Sequence, residues 1–188
     1  MPTAPKVTLD TNSVINLLDR ESQTATSVDT LSVLVRYALS GKLEMAMTTR
    51  VEGDLAFDKD EARKARMLGL LDLIPIVGSI MRWETSMWDA GDVWPDDPTY
   101  ALVSEIQAIV FPGLTDSDAR YRNKQFDIDH LVGHKLNRRD IFITEDKAIW
   151  RRRAELQAGP GIVVMKPAEC LAYIDDIETR ERPPSNET

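Results

Sequence analysis

The spacing of apolar positions changes several times along the chain. Val7 to Leu9 form a short apolar run that ends in Asp10. Val14, Ile15, Leu17 and Leu18 then follow at helical spacing, so VTLD (7–10) reads as a buried strand leading straight into a helix. Positions 28, 31, 34, 35, 38 and 39 repeat the helical pattern, Gly41 stops it, and LEMAMTT (43–49) reads as a second strand. A long helix is expected from about Arg50 through ARKARMLGLLDLI, and IPIVGSIMRW holds a further strand with Pro75 near its start. TYALVSEIQAIVF predicts a helix ended by Pro112-Gly113, and another is expected from about Phe126 to Arg138. The remainder alternates again: strand DIFIT (140–144), helix EDKAIWRRRAELQ, strand GIVVM and helix PAECLAYIDDI. No internal repeat is visible.

Strands separated by helices at this spacing imply a three-layer α/β/α domain around a central, mainly parallel sheet of four to five strands. One domain accounts for residues 1–175, and the polar end, 176–188, is expected to be disordered. The exception to the periodicity is WETSMWDAGDVWPDDPTY, within a stretch at about 73–124. It carries three of the four tryptophans and five acids before Thr99. Aromatics in that number need a surface, so an ordered, acidic, Trp-rich insertion is expected. Its tryptophans are read as packing anchors ahead of base-stacking groups.

Composition narrows the class without naming a chemistry. A chain of 188 residues, 43% apolar and 29% charged, supports a proper core without disulfides. Cys170 is the single cysteine, which fits a reducing interior and reads as a small buried side chain. The start, MPTAPKVTLD, lacks the basic and apolar regions of a secretory signal, and no apolar run approaches a membrane span. A cytoplasmic protein without membrane contact is therefore expected. The net charge of −8 argues against a general nucleic-acid coat, but the charge is unevenly spread. Trp83 to Ala119 holds eight acids and no Lys or Arg, whereas Arg120 to Arg153 holds ten basic residues against five acids. A local basic surface of that kind holds phosphates even on an acidic protein.

In a parallel sheet, ligands bind beyond the carboxyl ends of the strands, and several acids fall there. Asp10 ends the first strand. Glu52, in TTRVEGDL, lies just past the second. Asp127 and Asp129, in QFDIDHL, open the helix before DIFIT, and Asp146 follows that strand. Singly, each is explained as a helix cap or a dipole partner. Together they would repel, and one would take up a proton unless a divalent cation met them. Oxygen donors with only two histidines in the chain suit Mg²⁺ or Mn²⁺ and not zinc. Such a site supports phosphoryl transfer, because the cation polarises a phosphate oxygen and lowers the pKa of a bound water. His130 and His134 share a helix face with Asp127, so zinc is conceivable, but the helix supplies too few ligands. A packed or hydrogen-bonded histidine pair is the favoured reading.

LDTNSVI, TTRVEGDL, the D-x-D-H helix start and DIFITEDKAIW together resemble the successive motifs of PIN domains, over residues 7–52 and 124–170. The resemblance implies a metal-dependent nuclease, in most members a ribonuclease. It implies Asp10, Glu52, one of Asp127 and Asp129, and Asp146 as catalytic metal ligands, with Asn12 and Thr144 supporting them through hydrogen bonds. Mg²⁺ or Mn²⁺ as cofactor, RNA as substrate, and products with 5′-phosphate and 3′-hydroxyl ends follow from the same resemblance. VapC-type toxins belong to this family, so an antitoxin protein and a homodimer are the partners it suggests. The third acid stays open. The D-x-x-H spacing ahead of R-D-x-F-x-T-x-D selects Asp127 with His130, whereas apolar Ile128, Leu131, Val132 and Leu136 bring Asp129 nearer the buried face. Asp127 is the first choice and Asp129 the second. The acidic insertion lies outside the resemblance.

Arg50, Lys135, Arg139 and Lys147 are candidate phosphate contacts, with Arg138 and Arg151 to Arg153 near them in sequence. An exposed polar helix face explains any one of these equally well. Two other classes compete with the nuclease. A PIN-like module without activity would bind RNA or protein, and the retained acids argue against it. An aspartate-nucleophile phosphatase also ends a strand in Asp, but needs a second acid two residues on, where Asn12 stands.

Overall fold

Five short strands, β1 (Lys6–Leu9), β2 (Glu44–Thr48), β3 (Ile76–Val77), β4 (Ile141–Ile143) and β5 (Val163–Met165), form one all-parallel sheet in the order β3-β2-β1-β4-β5. The structure is a computed structural model and describes residues 3–18, 25–57, 59–83, 86 and 91–181. Strands buried on both sides need side chains that suit both layers, and alternate residues here divide cleanly. Val7, Leu9, Met45, Met47, Ile141 and Ile143 face a layer built from α1 (Thr11–Leu18), α2 (Ala25–Leu39), α4 (Glu61–Leu71) and α9 (Pro167–Glu181). Phe142 and Val164 face the opposite layer, built from α5 (Asp97–Val110), α6 (Tyr121–Leu136), α7 (Lys147–Arg151) and α8 (Arg153–Ala158). Cys170 is buried in the first layer, where desolvation pushes its thiol up to about 12, an inert packing group.

The chain runs from β1 to β2 to β3 toward one edge, with its helices on the first face. It then crosses to β4 and β5 with its helices on the second. A change of direction with a change of face is what right-handed crossovers require. The reversal puts β1 and β4 side by side as the topological switch point, where ligands of open α/β sheets bind.

Three expected elements differ in detail. The long helix expected from Arg50 is two helices, because α3 (Arg50–Phe57) stops and Asp60 starts α4, its carboxylate accepting the Arg63 N–H at 2.9 Å. The segment EDKAIWRRRAELQ likewise divides at Arg152 into α7 and α8. Part of the expected disordered end is helical: α9 continues to Glu181, tied to α2 by Tyr37 donating to Asp175 (2.8 Å) and, beyond it, by the Lys42–Glu178 pair (2.6 Å). Residues 182–188 lie outside the described residues, as does Trp88.

The insertion folds back on β3. Ile80 bridges Val93, with Val93 N–H donating to Ser79 O and Met81 N–H to Val93 O, both at 2.8 Å. A Cβ on Gly78 would lie 1.8 Å from the Gly91 carbonyl oxygen, so glycine is required where the two backbones meet. Asp92 anchors this loop to the core by accepting from Arg50, from the Thr49 hydroxyl and from Ser79 N–H. Among the described residues, no helix is long and apolar enough to cross a membrane.

Candidate functional site

A cleft of about 1540 Å³ opens at the carboxyl edge of the sheet, and Asp10, Asp54, Asp127 and Asp146 all line it. They come from four separated segments. Asp10 follows β1, Asp54 lies in α3, Asp127 in the first half of α6 and Asp146 caps α7 after β4. The central pair is held across the switch point. Thr144 donates its hydroxyl to Asp10 Oδ2 at 2.7 Å and accepts the Asp146 N–H at 2.9 Å, linking the ends of the two adjacent strands. Asp146 Oδ1 accepts the N–H groups of Ala148 and Ile149, at 2.7 and 3.0 Å, so its direction is fixed by the helix it caps. Asn12 is exposed and also lines the cleft.

These carboxylates act on one another electrostatically. Burial raises the Asp10 carboxyl above its ordinary value, with Asp54 and Asp146 adding to the rise, while His130 and the Thr144 hydrogen bond oppose it. Burial pushes Asp127 well above its ordinary value, and the charges of Asp10, Asp146 and Asp54 push it further. Negative groups forced together in this way favour either a proton or a cation among them. Among the described residues, no three His, Cys, Asp or Glu side chains already stand where together they would hold an ion.

The second acid at the cleft is Asp54 and not Glu52. Both lie in α3, and Val51 and Leu55 mark its buried face. At ~100° per residue, Glu52 and Asp54 flank that face on opposite sides, so periodicity alone cannot choose. α6 approaches α3 at Gly53, where a Cβ would stand 3.2 Å from the Phe126 ring. The choice between the two acids is shown by α6 itself, whose His130 Nε2 lies 3.2 Å from Asp54 Oδ2. Glu52, on the far side of α3, does not line the cleft.

His130 ties three elements together beneath the acids. Nε2 also lies 3.0 Å from the Thr11 hydroxyl, and Nδ1 lies 2.6 Å from the Thr48 hydroxyl. With Asp54 ionised, Nε2 donates to it, and in the neutral tautomer Nδ1 accepts from Thr48. His134 is buried against Phe142 with Nδ1 2.9 Å from the Thr8 hydroxyl. Burial, helped by the charges of Arg139 and Lys135, holds its imidazole down at about 3. Both histidines are taken up by hydrogen bonds.

Several expected site residues lie elsewhere. Asp129 is buried and accepts a two-pronged bond from Arg82, Nε and Nη2 each at 2.6 Å, which engages both its oxygens; of the two candidate acids, the cleft is lined by Asp127. Arg50 is buried against Asp92 and donates to Ser86 at 2.8 Å, so it holds the insertion and does not offer itself to a phosphate. Arg139 is buried at the opposite edge of the sheet, bonded to Val7 O (2.9 Å) and Glu44 Oε1 (3.0 Å). Lys135 is exposed at that same far edge, beside Gly161. Lys147 is exposed next to Asp146. The cations that do line the cleft include Lys59, Arg120, Arg122 and Lys124, and the last three open the basic half of the chain. No model of a known protein family matches the chain, and none of the curated proteins searched matches it.

Proposed function

We propose that this protein is a divalent-metal-dependent ribonuclease working through Asp10, Asp54, Asp127 and Asp146. The observation that carries the reading is the convergence of these four carboxylates, from four segments, on one cleft at the switch point of the sheet. Their donor set is all oxygen, which suits Mg²⁺ or Mn²⁺. Bound there, such an ion would polarise a phosphate oxygen and lower the pKa of a water, the chemistry that phosphodiester hydrolysis needs. The chain's own part is positioning. Thr144 fixes Asp10 against Asp146, and His130 fixes Asp54, so these carboxylates are held before any ligand arrives. The cleft cations would hold the phosphates either side of the scissile bond.

On this reading the protein is a cytoplasmic PIN-like nuclease, and the motif order along the chain supports that membership. A toxin role, with an antitoxin and a homodimer as its assemblies, belongs to the same proposal. It predicts growth arrest on expression, relieved by the neighbouring open reading frame. The nuclease itself is tested by incubating a labelled single-stranded RNA with Mg²⁺ or Mn²⁺. Cleavage should be abolished by EDTA and by Asp10→Asn, with the circular dichroism spectrum of the variant unchanged. Full activity of that variant, or activity indifferent to EDTA, removes the reading.

The alternative is a PIN-like module that binds RNA or protein without catalysis. Calorimetry separates the two, since a non-catalytic module takes up no Mn²⁺ at millimolar concentration.

A further inference from the structure

Trp83 and Trp94 are not the packing anchors that their place in the insertion suggests. They are 83% and 57% exposed, although burying an indole is among the largest apolar gains a side chain offers. Trp150, by contrast, is half-buried, with Arg153 and Lys166 stacked over its ring at 3.9 and 4.2 Å. The Trp83 and Trp94 rings meet edge to face, centroids 6.1 Å apart and planes at 75°, so each indole orients the other. Both line the acidic cleft, as does Tyr100, itself 58% exposed. Lys59, Arg120, Arg122 and Lys124 line the same cleft.

Flat aromatic faces, cations and a carboxylate cluster in one cleft match the three parts of a polynucleotide: base, phosphate and scissile bond. A base offers its face only when unpaired, because in a duplex that face is covered by its neighbours. We propose that Trp83, Trp94 and Tyr100 form a base-stacking platform that admits an unpaired stretch of RNA to the cleft. This rests on the reading of the cleft as a nuclease site. The platform belongs to the acidic insertion, which gives that segment a role in selecting single strands over duplexes.

The test uses the full chain with EDTA present, so that cleavage does not intervene. Anisotropy of a labelled 12-nucleotide oligouridine and of a 12-base-pair RNA duplex is followed for wild type, Trp83→Ala and Trp83→Phe. The exposure of Trp83 means that neither substitution disturbs the core. Trp83→Ala should weaken single-strand binding by about 10-fold, and Trp83→Phe should recover most of it. Duplex binding should be the same for all three proteins. Oligouridine affinity unchanged within about twofold in Trp83→Ala, equal losses for duplex and single strand, or no oligouridine binding by wild type would each overturn the platform. So would a change of oligomeric state in sedimentation velocity on Trp83→Ala, which marks a self-association face. Mn²⁺-dependent thermal stabilisation, measured in parallel without chelator, keeps the two readings apart. Selective loss of single-strand binding with no Mn²⁺ effect on wild type leaves the platform standing and removes the nuclease. The opposite pair of results does the reverse.

Discussion

Replacing Arg50 by Met separates a structural ion pair from an RNA contact. The guanidinium and the Asp92 carboxylate are both buried, with side-chain exposures of 1% and 0%. Methionine preserves much of the apolar volume, so the main loss is the positive charge. Removing one partner of a buried pair costs about 3–5 kcal/mol, because the other charge stays desolvated and uncompensated. Asp92 would keep two donors, the Thr49 hydroxyl and the Ser79 N–H. These place the expected loss at the lower end, about 3 kcal/mol. For a chain of this size that corresponds to a fall in Tm of roughly 6–12 °C. Urea denaturation followed by circular dichroism measures it, and the double variant Arg50→Met/Asp92→Asn should recover a good part, since no lone charge is left. A Tm unchanged within about 2 °C, together with weaker RNA binding, would refute the reasoning and return Arg50 to the substrate.

The pH dependence of stability should carry a signature of His134. Its folded value of about 3 lies below the ordinary 6.5, so its contribution is complete above pH 6.5 and is lost as pH falls toward 3. At pH 5 the loss is about 2 kcal/mol, read as the difference in urea midpoint between pH 7.5 and pH 5, and His134→Gln should flatten that difference. An equal pH response in both proteins would contradict it. Gly133→Ala should destabilise by about 1–3 kcal/mol, because its Cβ would lie 2.9 Å from Thr48 Cγ2 and 3.1 Å from Ser79. Gly69→Ala, in open space within α4, should instead stabilise by about 0.5–1 kcal/mol. Thermal melts of the two variants check both signs.

What could be read from sequence followed from local physics. The parallel α/β/α layering was legible because each buried strand is short, apolar and followed by a helical pattern. Asp10, Asp146 and Thr144 were legible because they sit directly at strand ends, where the fold leaves no choice of edge. Asp54 was not, since two acids flank the buried face of α3 symmetrically and only the tertiary contact with His130 breaks the tie. Gly53 marks a close helix approach but, at ~100° from each acid, does not choose between them. Arg50 and Arg139 looked like phosphate contacts because sequence shows a charge but not its partner, and their partners, Asp92 and Glu44, lie 42 and 95 residues away. The exposure of Trp83 was hidden for the same reason: nothing local says which surface a tryptophan will lack.

The central claim is that Asp10, Asp54, Asp127 and Asp146 share a hard dication. Titrating Mn²⁺ into the protein and following the free-ion electron paramagnetic resonance signal tests it directly. The account predicts uptake by wild type and by Glu52→Gln, and loss of uptake in Asp54→Asn and Asp127→Asn. No uptake by wild type at millimolar Mn²⁺, or uptake abolished by Glu52→Gln and kept by Asp54→Asn, would contradict it.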